Sequence, residues 1–147
     1  MGLRAKDIMD PTILTVAADL NVLECARLMV DHGSGCAVIA GGDAPVGGIV
    51  TEHDILAKVL AVGREPANVP VGEIASTPVI TCGRETPMDE VAATMAARHI
   101  RRIVVTQGDH IVGMITSRHV LAMFRRYVDE LSGDIAKFEP NPPTTGI

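Results

Sequence analysis

The chain is nearly without aromatic side chains: 147 residues include no Trp, one Tyr and two Phe. Hydrophobic content is still 47%, so a core must be assembled from Val, Ile, Leu, Ala and Met. That composition argues against a disordered chain and suits an α/β domain with closely spaced helices and sheets. A ligand pocket here has few rings to stack on a base and relies on aliphatic walls and backbone groups. Basic charge is also scarce. The formal net charge is −5, which argues against nucleic-acid binding through a broad basic surface. The three cysteines, Cys25, Cys36 and Cys82, are odd in number, widely spaced and form no C-x-x-C. They imply no disulfide framework, and a reducing cytoplasm is the simplest compartment. The opening MGLRAKDIMDP lacks the apolar segment of a signal peptide. No apolar run approaches the length of a membrane span, so no membrane association is expected.

What is present is a duplication. GGIVTEHDIL (47–56) returns as VGMITSRHVL (112–121). DIMDPTILTV (7–16) aligns with EIASTPVITC (73–82), and LECARLMVDHGSGCAVIA (23–40) with DEVAATMAARHIRRIVVT (89–106). Glu24 meets Glu90, Ala26 meets Ala92, Met29 meets Met95 and Val38 meets Val104. The offset is 66, then 65 after the loop between the second and third strands. A two-copy repeat of this length predicts pseudo-symmetric halves that bury a shared face.

Each copy reads as β-α-β-β-α. A short extended segment (TILTV; PVITC) precedes a helix. Asp19 or Asn21 starts the helix in the first copy. In the second, Thr86 is read as its N-cap, with Pro87 first inside and Asp89 at the third position. A buried strand follows (CAVIA; RIVVT), then a Gly-containing hairpin and a third strand (VGGIV; IVGMI). A second helix starts at Thr51 or Thr116 and ends near Gly63 or Gly133. The first unit with its linker spans 1–66 and the second 67–133. The Pro-rich tail 134–147 is expected to be disordered.

Thr51-Glu52-His53-Asp54 has two readings that do not exclude each other. Thr51 caps the helix and Asp54 supplies the acid of a capping box. Alternatively, the carboxylate at this strand-to-helix turn accepts two adjacent hydroxyls, as in a ribose diol. His119 stands at the corresponding place in the second copy. A neutral imidazole offers one acceptor and a protonated one none, so that position would hold a ribose poorly. Arg101, Arg102 and Arg118 beside it form either an anion site or solvated surface charge. Residues 1–66 carry five basic and nine acidic side chains, and residues 67–147 eight and nine. His32-x-x-x-Cys36 is a fragment of a metal site without the three or four ligands a site needs, so no metal is expected. The Gly pairs 41–42 and 47–48 punctuate a hairpin and match no phosphate-binding loop. No nucleophile motif is found, and no enzymatic activity is expected.

The order D-I-M-x-x-x-I-x-T-V, helix, C-A-V-I, loop, G-x-V-T-x-x-D resembles the cystathionine-β-synthase (CBS) domain. Two in tandem over about residues 6–131 resemble a CBS pair, or Bateman module. The resemblance implies two units packed through their sheets about a pseudo-two-fold, with adenosine-containing ligands (AMP, ADP, ATP or S-adenosylmethionine) held in clefts between them. It implies a ribose-holding role for Asp54, assisted by Thr51, and a wall from Ser76, Thr77, Val79 and Thr81. Ile100, Arg101 and Arg102 would add wall and phosphate contacts, with Ser34 and Gly35 opposite. The second, weaker cleft would use Thr116, Thr12, Ile13 and Thr15, with His119 breaking the family pattern and Arg118 adjacent. With no catalytic domain within these residues, the chain resembles stand-alone modules. These often form disc-like homodimers and signal to a regulated protein, whose identity the sequence does not give. The competing expectation is a constitutive dimeric scaffold without a nucleotide, in which Thr51 and Asp54 only cap a helix. A metal- or redox-responsive protein using His32 and Cys36 is the third.

Overall fold

A computed structural model describes residues 2–42 and 46–138. The elements run α1 (Ala5–Ile8), β1 (Thr15–Val16), α2 (Val22–His32), β2 (Cys36–Ala40), β3 (Val46–Thr51), α3 (Glu52–Ile55), α4 (Val71–Ile74), β4 (Thr81–Gly83), α5 (Met88–Arg98), β5 (Arg102–Gln107), β6 (His110–Thr116) and α6 (Ser117–Phe138). A π-helical stretch, Leu56–Leu60, prolongs α3. There are two three-stranded sheets, ordered β1-β2-β3 and β4-β5-β6. In each, the first pair is parallel and the second antiparallel.

The repeat holds down to register. Thr15 lies opposite Val38 and Thr81 opposite Val104. The hairpins are irregular at matching places, Ile39/Ala40 and Val105/Thr106. The sheets pack through Cys36, Val38, Ile49, Val104 and Met114, all nearly or fully buried. Aliphatic and sulfur-bearing side chains thus fill the space between the layers, as expected of a core with so few rings.

Two short helices were not foreseen, and they cross over. α1 lies at the start of the first unit, but Ala5 packs with Met88, Val91 and Ile103 of the second. α4 lies at the start of the second unit, yet Val71 and Ile74 pack with Val22, Cys25 and Val50 of the first. Val69, Val71 and Ile74 are each at most 2% exposed. Burying such a side chain contributes about 1.5–3 kcal/mol, so this lead-in segment is held firmly by the other unit. After each crossing the chain bridges the other unit's third strand: Asp10 pairs with Met114 and Ser76 with Ile49. A glycine admits each crossing. A Cβ on Gly113 would lie 3.0 Å from Met9 Cβ, and one on Gly48 3.1 Å from Ala75 Cβ.

The helix ends differ from expectation in two places. Asn21 caps α2, accepting from Glu24 N–H at 2.9 Å. In the second copy, however, helix α5 begins one residue late, with Pro87 at the cap. Thr86 instead accepts from Gly83 N–H, because its hydroxyl closes the preceding turn. α6 runs through Gly133 to Phe138. A glycine inside a helix costs only about 1 kcal/mol, which a helix of this length tolerates. Residues 139–147, the rest of the expected tail, lie outside the described residues, as do 43–45 of the first hairpin loop.

Candidate functional site

The strand-to-helix turn after β3 is closed by a reciprocal pair. Thr51 Oγ1 accepts from the N–H of Asp54 at 3.2 Å. Asp54 Oδ2 accepts from Thr51 N–H at 2.9 Å and from Thr51 Oγ1 at 3.0 Å. This is a capping box in both directions. The other carboxylate oxygen, Oδ1, lies 3.0 Å from Lys58 Nζ. Asp54 is 5% exposed, the one buried charged residue among those described. Burying a carboxylate is costly unless it is paired and hydrogen-bonded, and here both oxygens are.

The turn after β6 keeps the geometry and changes the chemistry. Thr116 N–H donates to His119 Nδ1 at 3.0 Å, and His119 N–H approaches Thr116 Oγ1 at 3.4 Å. One imidazole nitrogen thus replaces the carboxylate as acceptor. An acceptor Nδ1 places the ring proton on Nε2, leaving one donor unused by the cap.

Between the units lies a cavity of about 640 Å³. Both turns contribute: Thr51, Glu52 and His53 from one, Thr116, Ser117, Arg118 and His119 from the other. The segment before β1 forms one wall with Asp10, Thr12, Ile13 and Leu14. Gly33–Cys36 and Arg101–Arg102, the corresponding segments before β2 and β5, complete the rim. Val38 and Met114 add an apolar base.

The cavity therefore draws on both sets of residues singled out from sequence. Thr51, Ser34, Gly35, Arg101 and Arg102 of the first set line it beside Thr12, Ile13, Thr116, Arg118 and His119 of the second. Asp54, Ser76, Thr77, Val79, Thr81 and Ile100 are not in its lining, nor is Thr15. Ser76, Thr77, Thr81 and Thr15 are exposed on their segments. Val79 joins the core between the sheets and Ile100 the core of the second unit. Asp10, Leu14, Gly33, Val38, Glu52, Met114 and Ser117 line the cavity without having been assigned to either cleft, and Cys36, offered for a metal- or redox-responsive role, lines it too. For Glu52 and Ser117 a signal existed: they are the spacers that follow the repeated Thr.

His32 is exposed and its Nδ1 lies 2.8 Å from the Leu28 carbonyl. Cys36 is buried with Sγ 3.7 Å from Met114 Sδ. Among the described residues, no three His, Cys, Asp or Glu side chains come together as a metal-ligand set. No described helix is long and apolar enough to cross a membrane.

Comparison with known proteins agrees with the duplication. The family model described as CBS domain matches residues 5–61 and again 71–126. An uncharacterized protein of Methanopyrus kandleri is 30% identical over 129 residues, which cover 86% of this chain and 65% of that one, so the chain spans just under two thirds of that relative. The crystal structure of an uncharacterized conserved protein from Pyrococcus horikoshii superposes with a TM-score of 0.74 at 31% identity, covering 85% of this chain and 94% of that one. A CBS domain pair solved in complex with 5′-methylthioadenosine and S-adenosyl-L-methionine gives 0.74 at 27% identity, covering 85% and 98%.

Proposed function

Since the chain belongs to the CBS domain family, we propose that it is a non-catalytic regulatory module that binds an adenosine-containing ligand between its two units and passes the change to a partner protein. The observation that carries this reading is the cavity at the junction of the units. Its rim is built from both pseudo-equivalent turns and both segments before the second strands. A ligand there touches both halves at once, so it stabilises one relative arrangement of them, and a partner that senses that arrangement is linked to the ligand. The volume lies within the range that holds drug-sized molecules. A neighbour of the same fold carries two adenosine derivatives.

A homodimer is the assembly this reading favours. On α6, Leu121, Phe124, Val128 and Leu131 are spaced i, i+3, i+7, i+10 and are 64%, 57%, 40% and 45% exposed. Such a stripe on a soluble helix is an association surface in waiting.

The scaffold reading also has an observation behind it: Asp54 is fully used as a helix cap and ion-pair partner. Calorimetric titration of the chain with AMP, ADP, ATP and S-adenosylmethionine separates the two. Saturable binding of one of them supports the sensor. Absence of binding by all four leaves the scaffold.

A further inference from the structure

Cys36 and Met114 bring two sulfur atoms together across the junction of the units. Cys36 opens β2 of the first unit and Met114 lies in β6 of the second. Their Sγ and Sδ are 3.7 Å apart. Both residues are buried, at 9% and 7% exposed, yet both line the cavity. Their backbones are fixed. Cys36 pairs with Thr51 in the first hairpin, and its N–H approaches Ser34 Oγ at 3.4 Å. Met114 pairs with Val104 and exchanges both backbone bonds with Asp10, at 2.9 and 3.0 Å. The pair does not come from the duplication: the corresponding positions, at offsets of 66 and 65, are Arg102 and Ile49. A second thiol–thioether contact, Cys25 to Met29 at 3.9 Å, lies within α2. Those two residues are sealed in the core of the first unit and neither lines the cavity, so that contact is packing alone.

A thiolate and a thioether are soft ligands, and soft ligands select Cu(I). The surroundings favour the same ion. Zinc takes four ligands in a structural site and three from the protein in a catalytic one. Among the described residues, no three His, Cys, Asp or Glu side chains come together. His119 lines the cavity but has no lone pair to give: its Nδ1 accepts from Thr116 N–H at 3.0 Å, so Nε2 carries the proton. Asp10 already accepts from Thr12 N–H at 2.8 Å. Charge makes the same choice. Arg101, Arg102 and Arg118 border the cavity against two acids, Asp10 and Glu52. A monovalent cation on one thiolate adds no net charge there. A divalent cation on the same thiolate leaves a positive charge facing the guanidinium groups, where little water screens it. An ion about 2.3 Å from each sulfur, a typical metal–thiolate length, would be bent between atoms 3.7 Å apart, which leaves room for a third ligand.

We infer that Cys36 and Met114 form a binding site for a soft monovalent cation, Cu(I), which joins the two units across their sheets. On binding, the Cys36 thiol gives its proton to solvent and two metal–sulfur bonds form, with no change of oxidation state. The inference does not depend on the adenosine-ligand reading. The full chain, reduced and free of oxygen, is titrated with Cu(I) against a chelator of known Cu(I) affinity, and the bound copper is examined by X-ray absorption. The variants are Cys36→Ser, Met114→Leu and, as the control for the partly buried third thiol, Cys82→Ser. One Cu(I) per wild-type chain is expected, with two sulfur neighbours, and Cys82→Ser should match it. Losing a ligand should cost at least as much as losing an outer-shell partner, so affinity falls about 100-fold or more in Cys36→Ser and about tenfold or more in Met114→Leu. Met114→Leu nearly conserves volume, so it should fold. Zn(II) should bind at least about 100-fold more weakly than Cu(I). No Cu(I) bound by wild type, fewer than two sulfur neighbours, wild-type affinity in either folded variant, binding lost in Cys82→Ser, or Zn(II) bound as tightly as Cu(I) overturns the inference. Should Cys36→Ser not fold, the sulfur count of the wild type and the affinity of Met114→Leu decide the question.

Discussion

Replacing Asp54 by Ala isolates what the capping carboxylate contributes to the fold. The structure sets the size of the effect. Three interactions go at once: the bond from Thr51 N–H, the bond from Thr51 Oγ1, and the pair with Lys58. Losing a cap costs about 1 kcal/mol. A hydrogen bond to a charged acceptor contributes about 1.5–3 kcal/mol. The lysine is 46% exposed, so its i,i+4 pair adds no more than about 0.5 kcal/mol. These contributions overlap, and a total of about 2–3 kcal/mol is expected. With a urea m-value of about 2 kcal/mol/M, the midpoint of unfolding falls by about 1 M. His119→Ala removes a single neutral acceptor from Thr116 N–H and should cost about 1 kcal/mol. The measurement is equilibrium urea unfolding followed by far-UV circular dichroism on wild type and both variants, at one protein concentration. A loss below about 0.5 kcal/mol for Asp54→Ala, or a larger loss for His119→Ala, would refute the argument that the buried carboxylate is held by its own turn.

Four further outcomes follow from the same geometry. Gly113→Ala sets a Cβ 3.0 Å from Met9 Cβ; overpacking of this kind costs about 1–3 kcal/mol, read as a lower unfolding midpoint, and unchanged stability would mean the crossing is looser than described. His99 closes α5 at φ 53° where the first copy has Gly33, so His99→Gly should stabilise by about 0.5–1 kcal/mol in the same assay. Leu121→Asp/Phe124→Asp should shift the chain to a monomer by light scattering, with its circular dichroism spectrum unchanged, if the α6 stripe is a dimer surface. Burial, and secondarily Glu90, push the Cys82 thiol up, against a hydrogen bond with Thr86, and Cys25 and Cys36 are buried. Native protein should therefore react slowly with iodoacetamide at neutral pH, at one thiol, and at three after unfolding. Because the folded thiol keeps its proton to higher pH than the unfolded one, its contribution to stability is full below the unfolded value and is lost as pH rises through the folded one.

Most of the architecture was legible because it is written twice. A repeat with one register shift fixes six strands, four of the six helices and their order, and short continuous apolar runs such as CAVIA and RIVVT place the buried strands. α1 and α4 were not legible, for a physical reason: four residues carry too little periodicity to register as a helix, and their partners lie in the other half of the chain. Ala5 and Val71 look like ordinary residues of their own copies until the fold brings Met88 to one and Val22 to the other. The site was legible by residue type and less so by grouping. The capping box, one of the two readings of the Thr-x-x-Asp turn, is present, and Arg101 and Arg102, assigned to one cleft, line the same cavity as Arg118 and His119, assigned to the other. What local sequence could not supply is that Asp54 is buried where it pairs with the lysine four residues along, because Asp-x-x-x-Lys on a helix reads as an ordinary surface pair. Only the second bond of Lys58, to a carbonyl sixteen residues away, turns that pair into a tie between two segments. Position 54 and position 119 both have to cap a helix, and a carboxylate and an imidazole each do so with one acceptor. The carboxylate has a second oxygen left over and is buried, so it needs a cation; the imidazole has a proton left over and needs an acceptor. In the first unit the chain supplies the missing charge itself. In the second, His119 borders the cavity beside Arg101, Arg102 and Arg118, and no side chain of the described residues is bonded to its other ring nitrogen.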